Sequence, residues 1–215
     1  MNVTKLELPG LALISLTLRR DERGFFVERY QMERFWEYGV ATHFVQDNHS
    51  RSLPGVLRGL HYQRGPAQGK LVGVVRGRVW DVAVDIRPNS PTFGKNFGIE
   101  LNGENGLLLW MPAGFAHGFC VLGDEPADTV YKVDAPYNPA GEGGLHWADP
   151  DLALSWPIRH PLVSAKDAQL GSFADYRAHP IVWEMEIPPG KQPPASQVLE
   201  RKPGEAAPDT VPSNR

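Results

Sequence analysis

The sequence predicts an all-β protein, a sandwich or small barrel built of short strands. Three observations carry this. Glycine (22 residues) and proline (20 residues) cut the chain into short apolar runs. One run, RVWDVAVDI (78–86), alternates with the period of two that a strand imposes. Only one stretch of the first half, ERYQMERFWEYGV (28–40), reads as a helix, with Gly39 as its stop signal.

In chain order, LALISLTLRR and HFVQDNHS read as strands, and GVLRGLHYQ (55–63) as a buried one. KLVGVVRG, RVWDVAVDI, FGIEL, GLLLWMP and HGFCVL follow as further strands. In RVWDVAVDI, Val79, Asp81, Ala83 and Asp85 share one face, and Trp80, Val82, Val84 and Ile86 the other. Gly77, between two such runs, is read as a hairpin turn. Pro112 and Gly114 make a turn before His117 re-enters the sheet. HPIVWEMEI (179–187) is a candidate last strand. From 188 to 215 there are seven prolines and almost no apolar periodicity. Such a segment buries too little surface to offset its chain entropy, so it is read as a mobile tail behind a domain of residues 1–187.

Composition narrows the function classes. The chain has 215 residues, 41% hydrophobic and 22% charged, as in one ordinary globular domain with an appendage. A net charge of -3 gives no basic field for nucleic acid or an anionic membrane. The single cysteine, Cys120, excludes an intrachain disulfide and a cysteine-based zinc site, and its run GFCVL marks it as an inert core residue. No apolar run approaches membrane-spanning length, and MNVTKLELPG lacks a signal-peptide pattern. The cytoplasm is the default compartment.

The strand GVLRGLHYQ raises the chemical question. Arg58, His61 and Gln63 are costly to bury without partners. They form either a satisfied structural arrangement or one wall of a site. Arg58 and Lys70 near His61 suit an anionic ligand or a negative charge that develops during reaction. Strict alternation puts Arg58 and His61 on opposite faces, and a bulge at Gly59 would bring them together. His61 and His117 are weak metal candidates, because Gln63 fills the position where a second ligand is needed and no three ligand-type residues have metal spacing. Tyr131 reads as a core tyrosine with an anchored hydroxyl, and Tyr137, before a proline-rich turn, as a possible stacking platform. Lys166 and Asp167, taken alone, read as a solvated charge pair.

Nine segments in order then identify a family. DERGFFVERY, FVQDNHS, GVLRGLHYQ, KLV, DVAVDIRPNSPTFG, MPAGFAHGF, YKVDAPYNPAGEGG, WADPDLALSWP and SAKD run through the first 170 residues or so. With them the chain resembles the dTDP-4-dehydrorhamnose 3,5-epimerases. The resemblance implies a cupin jelly roll, a homodimer in which an N-terminal strand crosses to the partner's site, and no metal or other cofactor. It puts the catalytic base on His61, the proton donor on Tyr131, the carboxylate that orients the histidine on Asp167, and the lysine near the sugar ketone on Lys70. It makes Arg58 a substrate-binding arginine. It assigns nucleotide and phosphate contacts to Arg23, Phe26, Glu28, Gln46, Asn48, His117, Tyr137, Glu142 and Lys166. The implied substrate is a dTDP-4-keto-6-deoxy sugar, with no nucleic-acid or membrane partner.

These residue types fit the implied chemistry. Both carbons to be inverted flank a ketone, so each can lose a proton to an enolate. Histidine, with an ordinary pKa of about 6.5, suits that removal. Cations stabilise the enolate oxygen, and inversion needs a second group to return the proton on the opposite face. Three departures stand out: a loop RGPAQG (64–69) one residue short, Gly73 in place of an arginine frequent after KLV, and Pro136 in place of an aromatic. The loop and Gly73 are expected beside the sugar, and Pro136 near the base-stacking region. A 3-only or 5-only epimerase is the alternative, and a non-catalytic nucleotide-sugar-binding cupin a third reading.

Overall fold

The computed structural model describes residues 1–38, 40 and 43–183. Gly39, Glu184–Ile187 and the 188–215 tail lie outside the described residues. Within them thirteen strands run in chain order. They are β1 (Asn2–Lys5), β2 (Ala12–Ser15), β3 (Arg19–Asp21), β4 (Gly24–Phe26), β5 (Gln46–Ser52), β6 (Leu57–Gln63) and β7 (Lys70–Arg76). β8 (Arg78–Asp85), β9 (Asn96–Asn102), β10 (Leu107–Met111), β11 (Phe115–Val121), β12 (Ala127–Val133) and β13 (Glu142–Gly144) complete them. The helices are α1 (Met32–Glu37) and α2 (Phe173–Ala178).

Two sheets face each other. One has the order β1-β2-β10-β7-β12-β5 and the other β13-β6-β11-β8-β9. From β5 onward each strand lies in the opposite sheet from the one before, except the pair β8–β9. This is the jelly roll that the resemblance implied. It also corrects the reading of Gly77. The runs on either side, β7 and β8, belong to different sheets, so Gly77 turns a corner between the two layers and closes no hairpin.

Both faces of β8 are buried, which explains its two apolar rows. Val79 and Ala83 join the core between the sheets with Val72, Val74, Leu109 and Phe119. Val82, Val84 and Ile86 face outward, where Leu145, Leu152, Phe173 and Tyr176 from the C-terminal half cover them. Each large aliphatic side chain sealed in this way contributes about 1.5–3 kcal/mol. Ser172 caps α2, its hydroxyl accepting from the Asp175 amide at 3.0 Å. Trp183 docks beside it, its indole N–H reaching the Tyr176 hydroxyl at 3.1 Å, but residues 181–183 form no strand.

The outer face of the six-stranded sheet carries a third apolar cluster, including Ile14, Phe35, Leu71, Leu108 and Trp110. Here the expected helix is shorter than residues 28–40. Val27 and Tyr30 pack against this cluster, and Tyr30 meets Phe35 and Phe44 edge-on at 5.0 and 5.2 Å. Those contacts keep the chain out of the helix until Gln31, whose side chain caps α1 through the Arg34 amide at 2.7 Å. LALISLTLRR likewise divides, with β2 in the large sheet and β3 pairing only β4 in a separate two-stranded ribbon.

Candidate active site

The site lies between the sheets and draws on both. On the six-stranded side, Lys70, Val133 and Gln46 stand in one row across β7, β12 and β5, and Val72, Tyr131 and Asn48 in the row two residues on. A shift of two keeps both rows on the same face. Val72 and Tyr131 pack in the inter-sheet core, so that face is the inner one.

On the five-stranded side, β6 contains the bulge suggested by its sequence. His61 pairs with His117 of β11, and Arg58 pairs with Phe119, so three steps on one strand match two on the other. Because His117 and Phe119 share a face, Arg58 and His61 do too. The site of the bulge must be glycine. Gly59 has φ +116, and a Cβ there would stand 2.6 Å from the Gly118 Cα and 2.7 Å from the His117 carbonyl oxygen.

His61 Nε2 lies 2.8 Å from Asp167 Oδ1. The other carboxylate oxygen accepts from the Gly59 amide at 3.1 Å, and the Ser164 hydroxyl accepts from the Asp167 amide at 3.0 Å. Asp167 is only 4% exposed, so it forms no solvated pair with Lys166. Burial opposes its charge, but the bonds from His61 and Gly59 outweigh that and hold its pKa below the ordinary carboxylate value. Burial pulls the His61 pKa below its ordinary value against the opposing pull of Asp167, and Lys70 adds to the lowering. Burial pushes the Lys70 amine down to about 8, opposed by Glu142 and Asp81. Burial raises the Tyr131 phenol, with Arg58 opposing and Glu142 adding to the rise. At neutral pH the site therefore presents a neutral imidazole, a protonated phenol and a largely charged lysine. Arg58 is held by the Ser52 hydroxyl at 2.9 Å.

A polar rim closes one side. Gln46 Nε2 donates to Asn48 Oδ1 at 2.8 Å, and Gln46 Oε1 accepts from the Tyr137 amide at 3.0 Å. The Tyr137 hydroxyl donates to Glu142 Oε2 at 2.7 Å, and Lys166 Nζ reaches the same oxygen at 2.7 Å. Asp167, Lys70, Glu142, Tyr137, Lys166, Gln46, Asn48, Tyr131 and Arg58 thus connect to His61, directly or through one another, by bonds or by charge.

His117 lies deeper than a rim contact. It is 9% exposed and bonds Asp81 Oδ2 at 2.9 Å, and the other Asp81 oxygen has no hydrogen-bond partner among the described residues. Asp81 was not singled out from sequence, although its place on the Val79–Ala83 face carried the signal. Gln63 spends its amide on the Pro66 and Pro136 carbonyls and the Asn138 amide. Among the described residues no group of three or more His, Cys, Asp or Glu side chains is arranged to hold a metal ion. Cys120 is buried, and burial pushes its thiol up to about 11, which fits an inert core residue. No helix among the described residues is long and apolar enough to cross a membrane.

Arg23, Phe26 and Glu28 stand elsewhere. They lie on or just after the β3–β4 ribbon, where Arg23 pairs with Asp21 and Glu28 with Arg34, and Phe26 is 67% exposed. Among the described residues no hydrogen bond or ion pair joins them to the His61 cavity. Gly73 is also not beside the cavity. A Cβ there would meet Leu108, which belongs to the outer cluster.

A family model described as dTDP-4-dehydrorhamnose 3,5-epimerase matches residues 5–175. The enzyme of that name from Shigella flexneri is 52% identical over 177 residues, covering 81% of this chain and 97% of its own. A Legionella pneumophila structure named dTDP-6-deoxy-D-glucose-3,5-epimerase, in complex with dTDP-4-keto-L-rhamnose, superposes with a TM-score of 0.77. It is 48% identical and covers 80% of this chain and 92% of its own. A Streptomyces niveus protein named dTDP-4-dehydrorhamnose 3-epimerase is 38% identical over 179 residues, covering 82% of this chain and 86% of its own.

Proposed function

This chain belongs to the dTDP-4-dehydrorhamnose 3,5-epimerase family, and from that premise we propose that it inverts C3 and C5 of dTDP-4-dehydro-6-deoxy-D-glucose, giving dTDP-4-dehydro-L-rhamnose. It is an isomerase. The observation that carries the mechanism is the placement of His61 and Tyr131 on facing sheets.

Asp167 accepts from His61 Nε2–H, which fixes the tautomer and leaves the lone pair on Nδ1. Nδ1 removes the proton from the carbon beside the ketone. Charge moves onto the ketone oxygen, where Lys70 and Arg58 stabilise it. Tyr131, protonated and on the opposite wall, returns a proton to the other face of the same carbon. The phenolate then recovers its proton from solvent, and His61 releases the one it took. The same cycle serves the second carbon. The ketone already acidifies both positions, so this sequence of steps draws on no cofactor.

The Gln46–Tyr137–Glu142–Lys166 rim supports a nucleotide seat, with the Tyr137 ring for the base and Lys166 for phosphate. A homodimer is supported by the exposed β3–β4 ribbon with Phe25 and Phe26 and by the open edge of β5 beside the site. In it, Arg23, Phe26 and Glu28 reach the partner's cavity. A cytoplasmic location is supported by the lone, buried thiol.

Proton NMR of the reaction in deuterated water tests the reading. Deuterium at C3 and C5 with inverted product supports it. Deuterium at one carbon assigns a single-carbon epimerase, and none at either assigns a binding protein.

A further inference from the structure

Along the run Phe26–Arg29 exposure alternates. Phe26 and Glu28 are exposed, whereas Val27 packs on the outer cluster and Arg29 is half-buried. The Arg29 guanidinium lies against β7 at Gly73. A Cβ at Gly73 would stand 2.7 Å from Arg29 Nη2 and closer still to the Leu108 side chain. Burial lowers the Arg29 pKa, and Asp47 on β5 opposes the shift. Gly73 pairs with Val130, and Asp47 pairs with Lys132, so the guanidinium reaches over β12 from β7 toward β5. An arginine at position 73 and Arg29 cannot occupy this place together.

We propose that Arg29 is a positioning residue: seated on Gly73, it fixes where the Phe26–Glu28 segment leaves the sheet, and thereby how that segment meets the substrate. Gly73 is then the seat of Arg29 and not a lost sugar contact. This rests on the reading of Phe26 and Glu28 as substrate contacts. A segment whose outward residues bind ligand needs its inward residues fixed, because a loose segment loses affinity to ordering. His61 is on the other sheet, and Lys70 and Tyr131 stand on the inner face of β7 and β12 whereas Gly73 is on the outer face, so the seat acts on binding and leaves proton transfer alone.

The test uses the full-length protein in four forms: wild type, Arg29→Ala, Gly73→Ala and the double variant. The added methyl at Gly73 overlaps the ends of the Arg29 and Leu108 side chains and meets the Leu107 carbonyl only at 3.6 Å, an ordinary contact, so the fold survives, and circular dichroism checks this. Each single variant raises KM and the Kd for dTDP about five- to tenfold, kcat stays within about twofold, and the double variant is no worse than either, as for two residues in one contact. Unchanged KM in Arg29→Ala, additive effects, or a fall confined to kcat overturns the proposal. Phe26→Ala/Glu28→Ala separates the two readings. If that variant raises KM and Arg29→Ala does not, the seat is wrong while the contact reading stands. If that variant leaves KM unchanged, the contact reading fails and the proposal fails with it.

Discussion

His61 Nε2 and Asp167 Oδ1 are 2.8 Å apart, although 106 positions separate them in the chain. The bond ties β6 to the turn at Asp167–Gln169, and it turns the imidazole so that its second nitrogen is available as a base. His61→Asn should keep the fold and bind dTDP. Its solvent exchange at C3 and C5 should fall at least ~100-fold, the scale of a positioned general base. Near-normal exchange by NMR would move that role elsewhere.

The pH profile of kcat/KM should be bell-shaped. His61 must be neutral, and its pKa is shifted below 6.5, so the acid limb lies below that value. Lys70 must be charged, so activity declines as pH rises through about 8. Asp167→Asn removes a group that raises the His61 pKa, which moves the acid limb to lower pH. The same lowered His61 pKa makes stability fall with acidification. The unfolded chain binds the proton more readily, so stability is full above 6.5 and declines as pH drops through the folded value. A Lys70→Gln profile that keeps its alkaline limb would remove Lys70 from this account.

Tyr131→Phe should separate two events. His61 still removes a proton, so deuterium enters the substrate, but inverted product falls much further than exchange. The ring keeps its packing, so stability changes by about 1 kcal/mol at most. Equal losses of exchange and inversion, measured on one sample, would make Tyr131 a positioning residue.

Activity should survive exhaustive chelation. His61 and His117 each commit Nε2 to a carboxylate, and the Gln63 amide is spent on backbone groups. A loss with EDTA that a divalent ion restores would contradict the mechanism.

A chain carrying His61→Asn, mixed with one carrying Arg23→Ala and Phe26→Ala, should regain activity that neither has alone. The mixed dimer holds one site with an intact base and an intact ribbon from its partner. Failure of complementation, with dimers confirmed by light scattering, would return the ribbon to its own chain's site.

What the sequence revealed depended on the range of the contact involved. The two faces of β8 were legible because alternation is local. The bulge was suggested because Gly59 sits between two residues that alternation would divide. Asp167 looked like a surface charge because its partner is in a distant strand, and only the resemblance assigned it to His61. Asp81 was placed on its face but given no role for the same reason, its partner His117 being 36 positions away. Gly77 matched a hairpin signal, but nothing local says which sheet the next strand joins. Gly73 was expected beside the sugar from the resemblance alone, whereas alternation from Lys70 puts it on the opposite face, where it pairs with Leu108 of the outer cluster.

The bulge in β6 gives this strand a phase as well as a composition. Regular pairing of the same residues without the bulge would set Arg58 and His61 on opposite faces and carry one of them to the outer surface now filled by Leu60 and Tyr62. A chain in which residue 59 could not take φ +116 would keep nearly all its amino acids and lose this alignment. Evolution can therefore vary the chemistry around this strand one side chain at a time, while its glycine stays locked, and a different residue at this one position in any relative signals a change of site more strongly than many substitutions would.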